Sequence, residues 1–244
     1  PYTTLFRSEV GVDPDYEALE MKVGSYINAE GKVVRDAADA VGIVFKMEAI
    51  GSDVPANYPV ALQGKTIAGY AVAIENVAAG RQVLNNAAMS SLVTTDATVT
   101  NGTQATEALL TGIGEVAFMT TYNSWVNEHP LDGESLSSWY IPTVDQLGEF
   151  MGMLFKIGEV EPTGGQAFRE MPEFAFENGV MFDRDPIESV YYASCTVNGS
   201  KDISGVIINV DKTTKQVLDA KASSLKVTGS SQKALCRPMI TIFK

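Results

Sequence analysis

The chain has 244 residues, with 18 Lys and Arg against 30 Asp and Glu and a net charge of −12. That balance argues against a nucleic-acid or anionic-membrane partner, because attraction to phosphate needs basic residues in excess. One histidine, His129, leaves almost no material for a His-based metal centre or triad, and two cysteines, Cys195 and Cys236, are too few for a disulfide-stapled mini-domain.

Length and apolar content suit one domain able to bury a sizeable core. No apolar run is long enough to span a bilayer. Residues 1–8, from Pro1 to Ser8, read as the translation of a sequencing-adapter oligonucleotide and are set outside the fold. Residues 9–21 are acidic, contain Asp13-Pro14-Asp15, and read as a linker or the end of an upstream domain. Residues 22–244 form the expected domain.

The domain opens with a hairpin. Val23 to Ile27 and Lys32 to Val34 flank Asn28-Ala29-Glu30-Gly31. Val41 to Phe45 and Gly69 to Ile74 are continuous apolar runs, the pattern of strands covered on both faces. Helical spacing follows over Thr103 to Leu110 and over Glu115 to Asn127, where Val116, Met119, Tyr122 and Val126 share one side and Pro130 helps stop the helix.

The most informative stretch is Ser138-Trp139-Tyr140-Ile141-Pro142-Thr143-Val144-Asp145-Gln146-Leu147. Thr143 and Gln146 have capping-box spacing. Val144, Leu147, Met151, Leu154 and Phe155 then recur on one face of a helix. Trp139 and Tyr140, just before the cap, are expected in the core rather than on a ligand platform.

Residues 158–187 break every period with Gly and Pro, and read as a long irregular excursion anchored by its own phenylalanines. Strand and turn patterns close the chain. They are Tyr191 to Val197 ending in Asn198-Gly199, Gly205 to Val210 paired through Asp211–Lys215 with Gln216 to Leu218, and Ala234 to Phe243. Pro238 in the last run is expected at an edge or bulge.

In this order the pieces resemble the bacterial C-type-lectin-like domain at the C-terminus of collagen-like surface proteins, a distant cousin of the formylglycine-generating enzyme fold. The resemblance rests on Gly24-Ser25-Tyr26 with Glu30-Gly31, on Val41 to Phe45, and above all on Trp139-Tyr140-Ile141-Pro142-Thr143 with Gln146-Leu147. Tyr191-Tyr192-Ala193-Ser194 and Cys236-Arg237-Pro238-Met239-Ile240 complete it. It implies an α+β fold: a twisted antiparallel sheet that brings the termini together, two main helices and a long irregular loop region. Trp139, Tyr140, Pro142, Thr143, Gln146, Tyr192, Cys195 and Cys236 would be its structural residues.

Function is expected from what can vary on such a frame. The formylglycine enzymes use closely spaced cysteines, whereas Cys195 and Cys236 stand far apart in two expected strands. Two buried free thiols are the favoured reading, with a structural disulfide as the alternative. Glu161-Pro162-Thr163 and Asn209-Val210-Asp211 echo calcium-lectin motifs, but no cluster supplies six to eight oxygens, and turn chemistry explains them more simply. Asp183-Arg184-Asp185 reads as a solvated charge cluster in a loop, and His129 as a partner for the last carbonyls of its helix. No catalytic residue, metal ligand or cofactor is expected.

The expected function is therefore a non-catalytic extracellular or cell-surface recognition module, with signal and anchor upstream and an unidentified glycan or protein ligand. The candidate contacts are Arg169, Asp183 and Arg184, with Asn198, Lys201 and Asp202 as a second group. A phage tail-tip receptor binder and a structural subunit of a surface assembly are the alternatives.

Overall fold

The computed structural model describes residues 19–77, 101–112, 117–155, 163–164, 182–184, 187–197, 203–211, 213–214, 217–225 and 235–244. Within these the chain is mixed α+β, with antiparallel strand pairing and four helices.

The first sheet grows from the expected N-terminal hairpin. Strands β1 (Tyr26–Ile27) and β2 (Val33–Val34) pair across a turn in which Asn28 Oδ1 accepts the N–H groups of Glu30, at 3.1 Å, and Lys32, at 3.0 Å. Gly31 has φ of 80°, and a Cβ there would lie 2.9 Å from Leu136 Cδ2, so both backbone and space call for glycine. Strands β3 (Gly42–Lys46) and β4 (Ile67–Ala73) follow, and β4 is buried along its whole length. The last strand of the chain, β9 (Met239–Phe243), pairs with β4 to give the order β2-β1-β3-β4-β9.

A second, four-stranded meander is built from β5 (Phe182–Arg184), β6 (Ile187–Val197), β7 (Ile203–Asp211) and β8 (Val217–Leu225) in that order. The run before β9 ties the sheets together: Leu235 bridges Tyr192, and Cys236 bridges Val77. Pro238 stands just ahead of β9, at the end of the sheet order, and its carbonyl accepts the N–H of Ala73 at 2.9 Å.

Helix α1 (Val60–Gln63) is one turn; α2 (Gly102–Gly112), α3 (Ala117–Glu128) and α4 (Val144–Leu154) are longer. Alternation along the strands divides the interior in two. Tyr70 and Val72 of β4 join Leu147, Phe150, Met151 and Leu154 of α4, together with Tyr192 and Ile208 from the second sheet. Ala71 and Ala73 face the other way, toward Trp125, Trp139, Cys195 and Cys236. Each large apolar side chain so buried contributes about 1.5–3 kcal/mol.

Two expectations from the resemblance change. The single sheet is two sheets. The terminal strands β1 and β9 share the first sheet, but β3 and β4 lie between them. The irregular stretch 158–187 also contains β5 and the start of β6, which pair antiparallel. The helical runs expected over 103–110, 115–127 and 144–155 are present among the described residues as α2, α3 and α4, and α2 starts where Asn101 Oδ1 accepts the N–H of Gln104 at 3.0 Å.

Candidate functional site

The Trp139–Gln146 element joins the sheets. Tyr140 exchanges both backbone hydrogen bonds with Met239 of β9, each 2.9 Å. The Pro142 carbonyl accepts the N–H of Cys195 at 2.8 Å, and the Val144 N–H donates to Thr196 Oγ1 at 3.0 Å, so the same few residues also hold β6. The capping box is formed: Gln146 N–H donates to Thr143 Oγ1 at 3.3 Å, and Thr143 N–H to Gln146 Oε1 at 3.1 Å. That oxygen also takes the N–H of Gly102 at 3.2 Å. A Cβ on Gly102 would sit 2.4 Å from Tyr140 Cδ2, so this junction of α2 with the cap requires glycine.

From Gln146 a polar chain runs through the core. Gln146 Nε2 donates to Tyr140 Oη at 3.2 Å, Tyr140 Oη meets Thr241 Oγ1 at 3.1 Å, and Thr241 Oγ1 meets Tyr58 Oη at 2.8 Å. Tyr58 in turn donates to Asp53 Oδ2 at 2.5 Å. Since the Tyr58 proton points at Asp53, Thr241 donates to Tyr58 and Tyr140 donates to Thr241. One direction of donation therefore runs from amide to carboxyl group, an arrangement in which each bond polarises the next. Tyr70 adds a 2.7 Å bond to Asp53 Oδ2, and Asn101 Nδ2 a 2.9 Å bond to Oδ1. All of these side chains are buried. Burial, with the neighbouring Tyr140 and Asp53, pushes the Tyr58 hydroxyl far above the ordinary tyrosine range; burial and Asp53 do the same to Tyr70.

A second cluster reaches solvent. His129 Nε2 lies 2.9 Å from Glu75 Oε1, and its Nδ1 lies 2.7 Å from the Trp125 carbonyl oxygen. The indole N–H of Trp125 shares the same Glu75 oxygen at 3.0 Å. Trp125 stacks on His129 with ring centroids 4.2 Å apart and meets Trp139 edge-on at 5.1 Å. The Trp139 indole N–H donates to the His129 carbonyl at 2.8 Å. His129 thus does bond a carbonyl of its own helix, as expected, and Glu75 is the partner that its surroundings in the sequence did not reveal. Both ring nitrogens face acceptors, and the cluster clamps the exit of β4 to the end of α3.

Arg169, Asn198, Lys201 and Asp202 lie outside the described residues. Asp183 and Arg184, expected in a loop, belong to β5, opposite Glu188 and Ile187 of β6. Antiparallel pairing with β6 is the reason: it adds β5 to the sheet as a further strand. The row Arg184–Ile187–Asp211 lies at one end of that sheet and the row Val197–Ile203–Leu225 at the other. With the length of β6 between them, roughly 30 Å at strand rise, one small ligand cannot touch both Asp183–Arg184 and the end marked by Val197 and Ile203.

The lectin-like strand pair is engaged within the fold. Asn209 takes the Ser189 hydroxyl at 2.6 Å and donates to Asp219. Asp211 Oδ1 accepts the N–H groups of Thr213, at 2.9 Å, and Thr214, at 2.7 Å, which is turn chemistry. Among the described residues no group of three or more His, Cys, Asp or Glu could hold a metal ion. Cys195 and Cys236 are buried thiols outside any disulfide. Burial pushes the Cys195 thiol up to about 12 and raises Cys236 as well, the latter helped by Cys195 nearby.

No protein-family model matches the chain, and no curated protein or solved structure is detectably similar to it.

Proposed function

We propose that this chain is a non-catalytic recognition module of the C-type-lectin-like kind, carried by a bacterial surface or secreted protein and directed at a glycan or protein ligand. The observation that carries the reading is the use of the Trp139–Gln146 element, the most specific part of the resemblance, as the joint between both sheets, α2 and α4. A frame tied at such a joint holds its outer segments rigidly, and binding surfaces on rigid frames vary without disturbing the core. Among the described residues, Asp53 accepts hydrogen bonds from the buried Tyr58 and Tyr70 hydroxyls.

Ligand contact is proposed at the sheet end that carries Asp183 and Arg184, with Arg169 as a further contact; the group Asn198, Lys201 and Asp202 would serve a separate contact. A glycan-array and cell-binding screen with the whole chain tests this. Asp183→Asn and Arg184→Ala should each weaken any retained ligand at least ~10-fold, as loss of a charged hydrogen bond predicts, with an unchanged melting temperature. Turnover of any substrate in a broad hydrolase and oxidase panel, or binding indifferent to both substitutions, would refute the assignment.

A further inference from the structure

Two residues inward along β6 and β7 from the end row Arg184–Ile187–Asp211 runs the row Ser189–Asn209–Asp219. Alternation puts Asp211 and Asn209 on one face, and the rows are about 7 Å apart at strand rise, so one ligand can reach both. The inner row passes from a buried serine through a half-buried amide to an exposed carboxylate. Asp219 offers only acceptors, so the Asn209 amide turns its NH₂ toward it, and Asn209 Nδ2 donates to Asp219 Oδ1. Asn209 Oδ1 is left to take the Ser189 hydroxyl at 2.6 Å. The amide is thereby fixed in orientation before any ligand arrives. Among the described residues, the second N–H of Asn209 and the second carboxylate oxygen of Asp219, Oδ2, take no hydrogen bond.

We propose that Asn209 and Asp219 hold a neutral sugar through two neighbouring hydroxyls, one accepting the second Asn209 N–H and the other donating to Asp219 Oδ2. The inference rests on the recognition function proposed above and assigns its ligand to the glycans. Charge and geometry select this chemistry. A cation at Asp219 would also meet the Asn209 N–H and the exposed Lys221 of the next row, opposite Ile207. An anion would meet the Asp219 carboxylate. A trans peptide group points its N–H and C=O in opposite directions, so one such group cannot serve a donor and an acceptor standing side by side. Vicinal hydroxyls can, because each of them both donates and accepts. A hydroxyl donating to an ionised carboxylate also makes one of the stronger hydrogen bonds. Protein atoms make the contact directly, so it needs no bridging ion.

The whole chain on a glycan array, read with and without EDTA, tests this. It should retain at least one uncharged glycan in both conditions. Periodate cleaves vicinal diols, so treating the array with periodate and then borohydride should abolish that binding. Asp219→Asn must use its side-chain oxygen on the Asn209 amide, which turns an NH₂ outward where an acceptor stood. It should weaken binding at least ~10-fold. Asp219 is exposed, so this variant should keep the wild-type melting temperature. Asn209→Ala should weaken binding by a similar factor, and circular dichroism checks its fold, since it leaves the Ser189 hydroxyl without its partner. A protein ligand, or an acidic or periodate-resistant glycan, that is lost on Arg184→Ala but indifferent to Asp219→Asn would leave the recognition function standing and overturn this inference. Sugar binding that EDTA abolishes would overturn it too. A chain that retains nothing on the array or in the cell-binding screen would overturn both.

Discussion

Gln146 and Asp53 stand at the two ends of one relay of hydrogen bonds, with the hydroxyls of Tyr140, Thr241 and Tyr58 between them. The amide begins it as a donor and the carboxyl group ends it as an acceptor, so neither end can be changed without reversing or breaking the sequence of donors. The relay also has an anchor at each end: Gln146 holds the α4 cap and the start of α2, and Asp53 holds Asn101 beside that same start.

The cap and the relay are separable by substitution. Thr143→Ala removes one capping oxygen and should cost about 1 kcal/mol. Gln146→Ala strands the buried N–H groups of Thr143 and Gly102 together, and should cost about 2–4 kcal/mol. Urea unfolding of the two variants should rank them in that order. Equal losses would mean that Gln146 acts through the cap alone.

At the other end, Asp53→Asn replaces an acceptor by an amide whose NH₂ must face donors, and should cost about 1–3 kcal/mol. Tyr58→Phe removes the adjoining hydroxyl. A double-mutant cycle between them should show coupling above about 0.5 kcal/mol, because the two groups share one bond. Strict additivity would show that the bond contributes nothing beyond packing.

Stability should fall on the alkaline side. Burial raises the hydroxyls of Tyr58, Tyr70, Tyr122, Tyr140 and Tyr192 above their ordinary range, and raises both thiols. In the unfolded chain thiols ionise near ~8.5 and tyrosines near ~10, while the folded groups keep their protons. The unfolded state therefore binds fewer protons above those values, and stability declines with rising pH. The contribution is fully present below about pH 8, begins to erode as the thiols ionise, and drops steeply beyond about pH 10. Thermal melts from pH 7 to 11 should trace that curve, and thiol reagents at pH 8 should modify Cys195 and Cys236 only after unfolding.

The aromatic clamp should depend on burial far more than on charge. Trp139→Ala should cost about 3–5 kcal/mol through the cavity it leaves. Glu75→Gln alters a solvent-exposed contact to His129 and should change stability by no more than about 1 kcal/mol. A harmless Trp139→Ala in thermal denaturation would remove the indole from the core and return it to consideration as a ligand platform.

What could be read from the residues alone is local. The β1–β2 turn at Asn28–Gly31, the Thr143–Gln146 capping box, the apolar face of α4 and the burial of Trp139 and Tyr140 all depend on neighbours within a few positions, so their spacing reveals them. The regular end of the 158–187 stretch escaped because β5 is only Phe182–Arg184, too short for alternation to register. Asp53 escaped because nothing beside it in the polar loop from Gly51 to Pro59 announces its partners.

The tertiary structure alone decided which strands share a sheet and which polar groups meet. A period of two tells a strand which faces to bury but not which strand lies next to it, so one expected sheet became two and β3 and β4 came to separate β1 from β9. Tyr58 and Thr241 are 183 residues apart along the chain and 2.8 Å apart in space. Such contacts are set by chain closure and packing, in which the pattern around either residue has no part; the caps, turns and helical faces are set by the residues beside them, and those the sequence determined unaided.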